Sequence, residues 1–326
     1  MHLFGAYDAD APVPEGPVTF HLVHRPAHWR RNVVGQLVTC YAMARALRRI
    51  TRPDVVFLPE YVGAAVAATI RPDLPVIFTT PGNIVEREVS GNPFDWYTTQ
   101  VYKVAALVAA RRARHVVALS RYMRAWWIRT GARPSHVSVL PLGVDTHRFR
   151  PIDRARARSR LRIPAEEEML LFLGRLSYEK NARVLVRAMA RLRSVRPRAR
   201  LHIVDRGPRR KFLGDLAERL SITDRVTFTD WVPSAEVPYY YGAADLVLLP
   251  STGEPFARVP IEAMACEAPV MGSTAGGTPD AIAEGETGYL VTPDIAAGHH
   301  LRDRGCRAGF RVRPVRLNTG RRARHS

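Results

Sequence analysis

Between residues 54 and 291 the chain repeats one pattern. A run of four or five mostly apolar residues, too short for a helix, is followed by a longer stretch with helical spacing. The runs include Val76-Ile77-Phe78-Thr79, His115-Val116-Val117-Ala118-Leu119, Met169-Leu170-Leu171-Phe172-Leu173 and Leu246-Val247-Leu248-Leu249. Continuous rather than alternating apolar character marks strands buried on both faces. Strands of that kind separated by helices make βαβ units and hence a parallel sheet under layers of helix. The spacing predicts helices over 38–50, 62–70, 98–112, 184–193, 212–220 and 237–241, the one after Leu119 being capped by Ser120. Further strands are expected over 18–24, 54–58, 137–140, 200–204, 225–229 and 270–271. With 326 residues, 46% of them apolar, the chain exceeds what one core usually holds. The Pro- and Arg-rich segment 149–164 divides the pattern into two α/β halves. This gives domains over 1–149 and 150–295 and a basic irregular tail over 296–326. The first seventeen residues, with Pro12, Pro14, Gly16 and Pro17, are expected to be irregular.

Composition narrows the class. The formal charge is +19, which suits phosphates or an anionic surface. Its distribution argues against a nucleic-acid partner. All basic residues are Arg apart from Lys103, Lys180 and Lys211, no aromatic-interleaved binding stretch stands out, and nine Arg sit after His299 against the single Asp303. Cys40, Cys266 and Cys306 have no paired spacing, so neither a disulfide framework nor a zinc site is indicated. No apolar run reaches membrane-spanning length and the N-terminus is not that of a signal peptide. The expected location is the cytoplasm, with contact at the inner membrane face as an option. SRYMRAWWIRT (120–130) places Arg121, Arg124 and Arg129 beside adjacent Trp126 and Trp127, which cannot both face one core. One Trp is then either exposed to an anionic membrane or held in a local packing site.

The chemistry gathers at EPFARVPIE (254–262). Glu254 and Glu262 flank a loop joining a buried strand to a helix, where both can address a ligand at the strand's carboxyl end. Pro260 is tolerated in the helix's first turn. Arg175 and Lys180 follow another strand end in a loop opened by Gly174, so both can reach an anion. In isolation these are ordinary solvated charges.

The ordered set of motifs changes that. GRLSYEKN (174–181), RGP (206–208), DRVTFTDWVP (224–233), ADLVLLPS (244–251), EPFARVPIEAMACEAPV (254–270), GGTPD (276–280) and GETGYLV (285–291) resemble the nucleotide-sugar half of the GT-B glycosyltransferases of family 4, also called glycosyl transferase group 1. RPDVVFLPE (52–60), VVALSRYM (116–123) and VLPLGVDTHRF (139–149) resemble the other half.

The resemblance implies two doubly wound Rossmann-like domains facing a cleft. It implies transfer of a hexose from a nucleotide-diphosphate sugar to a glycan, lipid-linked or small-molecule acceptor. Configuration would be retained by front-face attack, with the leaving diphosphate helping to take the acceptor proton and no metal or other cofactor involved. Arg175 and Lys180 would hold the diphosphate and stabilise its developing charge. Glu262 would accept from the ribose hydroxyls and Glu254 from the donor sugar. The loop from Gly174 and the amides of Phe256 and Ala257 would complete donor binding. The sequence has no DxD-like pair in a suitable loop.

Departures are equally specific. No strand, Gly-rich loop and helix are expected before Val18, and Thr80-Pro81-Gly82-Asn83 stands where relatives place a His. Asp205 and Asp230 stand where Gly is usual, and Ala257 replaces another Gly. After Asp294 the Arg-rich tail lacks the periodicity of the expected returning helices. These departures imply an N-terminally truncated, C-terminally divergent form, and leave a non-catalytic remnant that binds a nucleotide sugar or a partner as the alternative.

Overall fold

The computed structural model describes residues 2–7, 19–24, 41, 45, 48, 55–58, 61–79 and 93–293. The chain divides at Pro141/Leu142 rather than after 149, because Val144 and Phe149 pack into the core of the second unit. The helix expected over 38–50 lies outside the described residues except at Tyr41, Arg45 and Arg48, as do the 80–83 segment and the tail.

In the first unit β1 (His2–Tyr7) pairs in parallel with β2 (Thr19–His24), from His2 opposite Thr19 to Tyr7 opposite His24. The first residues were expected to be irregular, and this strand corrects that. HLFGAY has no period-2 pattern of its own, and its conformation is supplied by hydrogen bonds to a distant segment.

A second sheet, wholly parallel, runs β3 (Val56–Leu58), β4 (Val76–Thr79), β5 (His115–Ala118), β6 (Val137–Val139) in that spatial order. It is covered by α1 (Tyr61–Ile70), α2 (Pro93–Arg112) and α3 (Arg121–Thr130). Fully buried Ala64 and Ala67 of α1 and Ala106 and Ala109 of α2 belong to one core and let the two helix backbones approach closely. The helix expected over 98–112 begins earlier, with Pro93 at its first position, where a missing N–H costs nothing. Ser120 caps α3 as expected, its Oγ accepting from the Met123 N–H at 3.1 Å. Trp127 is 1% exposed and packs edge-on against Phe78 and Tyr61. Trp126 is half-buried with its ring 4.7 Å from that of Trp127. The pair thus fills a packing site, and neither ring stands exposed.

The second unit holds six parallel strands in the order β12-β11-β10-β7-β8-β9: β7 (Glu168–Leu173), β8 (Ala199–Val204), β9 (Val226–Thr229), β10 (Leu246–Leu249), β11 (Val270–Ser273) and β12 (Tyr289–Val291). Both faces are covered, which is why these strands read as unbroken apolar runs. Leu170 and Phe172 point to α5 (Arg183–Leu192) and α6 (Arg210–Arg219), while Met169 and Leu171 point to the core of α7 (Val237–Ala243) and α8 (Arg258–Ala265). The supposed linker contains one more helix, α4 (Arg154–Leu161), capped by Asp153. RARARSRL has no apolar face to betray it. What anchors α4 is Arg158, 4% exposed, which donates to Asp245 at 2.7 Å and to the carbonyls of Ala243, Pro164 and Ala165.

From β7 the chain builds outward through β8 and β9, then returns to lay β10 on β7's other side. The strand order therefore reverses between β7 and β10. Loops leaving the carboxyl ends of two such strands diverge and form a crevice, the place where open α/β sheets bind ligands. Among the described residues no helix is long and apolar enough to cross a membrane.

Candidate functional site

The two loops at that reversal are the ones the sequence singles out. The β7 loop carries Gly174, Arg175 and Lys180; the β10 loop carries Glu254, Phe256 and Ala257, and α8 then carries Glu262. Backbone and side-chain bonds hold them together. The Thr252 N–H donates to the Glu179 carbonyl at 2.8 Å. Asn181, 5% exposed and at φ 53°, donates its side-chain amide to the carbonyls of Pro250 (3.3 Å) and Pro293 (3.2 Å). An Asn tolerates this left-handed conformation better than most residues, so the last motif position, Asn181, serves as a brace.

Each loop is also pressed against a glycine. A Cβ on Gly276 would lie 2.5 Å from both the N and O of Glu254, and the Gly277 N–H donates to the Glu254 carbonyl at 2.6 Å. A Cβ on Gly207 would lie 2.5 Å from the Leu176 carbonyl oxygen. GGTPD and RGP thus set the height of the β10 and β7 loops, and only a residue without a side chain fits at either contact.

The result brings Lys180 and Glu254 together. Lys180 Nζ lies 2.8 Å from Glu254 Oε1, their side chains being 23% and 8% exposed. The same oxygen accepts from Ser251 Oγ at 2.5 Å, and the Ser251 carbonyl accepts from Ser273 Oγ at 2.5 Å. Ser251 and Ser273 are fully buried at the ends of neighbouring strands, so Glu254 sits on a rigid support. Neither serine stands out as a functional residue in the sequence; Ser251 closes the ADLVLLPS motif, and only the fold shows what its hydroxyl faces.

Glu262 forms a separate cluster. Its Oε2 accepts from the Tyr241 hydroxyl at 3.1 Å and its Oε1 from Arg258 at 2.9 Å. Burial, then the Glu262 charge, raises the Tyr241 hydroxyl well above its ordinary pKa, and the same two causes push the Cys266 thiol up to about 12. Arg175 is exposed on its loop and makes no ion pair with either glutamate. Phe256 and Ala257 are buried, yet neither backbone N–H finds an acceptor among the described residues. Ala257 is the N-cap of α8 and offers no side-chain cap, leaving the positive end of that helix open.

Asp205, which stands where Gly is usual, has φ 113°, the region where a Gly is at ease. Its carboxylate turns back to accept from the Arg206 N–H at 2.7 Å. No three His, Cys, Asp or Glu side chains gather as a metal-ligand group among the described residues.

Comparison with known proteins gives the family and the fold. The family described as Glycosyl transferases group 1 matches residues 153–300, and the family described as Glycosyltransferase Family 4 matches 1–148. The chain belongs to the group 1, family 4 glycosyltransferases. Among curated members, the D-inositol 3-phosphate glycosyltransferase of Segniliparus rotundus is 39% identical over 164 residues, 49% of this chain and 36% of that protein. The chain spans little more than a third of the length of that relative in the match.

Among solved structures, sucrose-phosphate synthase from Thermosynechococcus elongatus has a TM-score of 0.76 at 24% identity, over 93% of this chain and 79% of its own. Anabaena HepE, solved with UDP and glucose, has 0.69 at 23% identity, over 88% and 77%. The fold is that of the GT-B glycosyltransferases. In this family 4 member, then, the expected donor residues sit on the two loops that flank the strand-order reversal and, for Glu262, on the helix that follows the second.

Proposed function

We propose that this chain binds a nucleotide-diphosphate sugar on its second unit and transfers the hexose to a glycan, lipid-linked or small-molecule acceptor. The observation that carries the reading is the pairing of the β7 and β10 loops at the strand-order reversal. There a Lys180 ammonium meets a buried Glu254 carboxylate, and the same β10 loop carries two amides without an acceptor among the described residues. A diphosphate needs cations and N–H donors, and Lys180, the reach of Arg175 and the amides of Phe256 and Ala257 supply both kinds. Glu254 accepts from hydroxyls of the donor sugar, Glu262 from the ribose, and Gly174 opens the loop that carries the cations.

The reading extends to retention and metal independence. Attack comes from the face the diphosphate leaves, the departing phosphate oxygen takes the acceptor proton, and Arg175 and Lys180 offset the charge that builds on it. The Anabaena protein's complex with UDP and glucose supports a nucleotide-sugar donor by analogy of fold. Peripheral contact with the inner membrane face belongs to the same proposal, through the Arg-rich face of α3; co-sedimentation that ignores anionic lipid removes that part.

The test is a thermal-shift panel of UDP-, GDP- and ADP-sugars on the full chain, followed by a radiolabelled transfer and hydrolysis assay with the donor that binds. One donor should raise the melting temperature, and Lys180→Met should abolish the shift. No shift with any donor would overturn the reading. Binding without turnover would replace it with the non-catalytic alternative.

A further inference from the structure

The position of one carboxylate depends on a residue that no motif assigns to the donor. Glu262 offers about four acceptor sites on its two oxygens. The Tyr241 hydroxyl takes one on Oε2 and Arg258 takes one on Oε1. Two remain, the number that a pair of vicinal hydroxyls requires.

The two protein donors are not equivalent. The Arg258 side chain is 65% exposed and lies on the same helix, four residues before Glu262, so its hold is screened and mobile. Tyr241 comes from a different helix, α7, and is 1% exposed. Phe149 lies 6.2 Å away ring to ring, and Tyr241 shares its core with Ala243, Ala263 and Met264. Its hydroxyl cannot swing away without opening that core. A buried phenol also costs free energy if its O–H is left unpaired, which ties the Glu262 side chain to one rotamer.

We propose that Tyr241 is a positioning residue that fixes the Glu262 carboxylate for recognition of a ribose diol. The inference rests on the assignment of Glu262 to the ribose under the proposed function. Tyr241 makes no contact with the ligand, and acts by removing the rotamer freedom that diol binding would otherwise have to freeze.

The experiment is isothermal titration of the full chain with UDP, GDP and ADP and with their 2′-deoxy counterparts. The wild-type protein should prefer the ribonucleotide that binds by about tenfold or more, the range of a hydrogen bond to a charged group. Tyr241→Phe removes only the hydroxyl, and should reduce that preference several-fold while leaving the affinity for the 2′-deoxy form nearly unchanged. Phe149→Leu, which loosens the same packing and keeps the hydroxyl, should leave the preference intact. If Tyr241→Phe does not fold, Arg258→Ala removes the exposed donor and leaves Tyr241 alone on Glu262, so the preference should persist within about twofold. A ribose preference that persists in Tyr241→Phe, or that is lost in Arg258→Ala, overturns the role of Tyr241 and leaves the proposed function standing. If no nucleoside diphosphate binds to the wild-type chain, the proposed function fails and this inference fails with it.

Discussion

The Lys180–Glu254 pair is the most informative place to perturb this protein. At 2.8 Å and an effective dielectric of about 20, the Coulomb attraction is about 6 kcal/mol. Desolvating a carboxylate that is 8% exposed takes back several kcal/mol, so the net worth of the pair is about 1–3 kcal/mol. The two single variants should nonetheless differ. Lys180→Met leaves a buried anion with only Ser251 for support and should destabilise the second unit by about 2–4 kcal/mol. Glu254→Gln leaves a lysine that is already 23% exposed and can turn to water, so it should cost at most about 1 kcal/mol. The double variant should resemble Glu254→Gln, so the coupling should equal the cost of Lys180→Met alone, about 2–4 kcal/mol. With a urea slope of about 2–3 kcal/mol per molar, Lys180→Met lowers the midpoint by roughly 1 M. Urea titration of all four proteins by circular dichroism measures this. A coupling below about 0.5 kcal/mol would refute the claim that Lys180 neutralises Glu254 in the free protein.

Three further outcomes are expected. Arg158→Met strips Asp245 of its buried partner and three carbonyls of their donor, and should lower stability by about 3–5 kcal/mol in the same titration; Arg154→Ala, on the exposed side of Asp245, should cost less than about 1 kcal/mol. Gly276→Ala places a methyl 2.5 Å from the Glu254 backbone and should abolish the donor-induced thermal shift, whereas Gly285→Ala, with open space at its Cβ, costs only the strain of its φ of 78°. The Cys266 thiol, raised from an ordinary 9.0 to about 12, keeps its proton in the folded state while the unfolded chain releases it. Its contribution is therefore intact below pH 9 and is lost as pH rises toward 12, at up to about 1.4 kcal/mol per pH unit. The stability of Cys266→Ser should fall less steeply over that range, and equal slopes would refute the assignment.

Much of this protein was legible in its sequence because the deciding signals are local. Strands buried on both faces must be apolar throughout, so β7, β10 and the rest announced themselves by unbroken runs, and the helices between them by spacing. Motif order then supplied the loops and their candidate residues, since a charged residue just past a strand end stays there in any βαβ unit. The misses share the opposite cause. β1 owes its strand to β2; α4 is held by Arg158 reaching Asp245, 87 positions away; the start of α2 reads as polar loop because Asp and Pro are tolerated in a first turn.

The candidate site divides in the same way. Sequence alone determined which residues stand on the β7 and β10 loops and that α8 begins just beyond them, because those placements depend on neighbours within a few positions. Only the tertiary structure decided that these two loops adjoin, since their strands, Glu168–Leu173 and Leu246–Leu249, are far apart in the chain and meet solely through the order β10-β7. It also decided that Lys180 closes on Glu254, that Ser251 and Ser273 support it, and that Tyr241 restrains Glu262. A side-chain hydrogen bond between distant segments costs nothing in local pattern and so leaves no trace in it. It exists only once the cores on both faces of the sheet have set the distances.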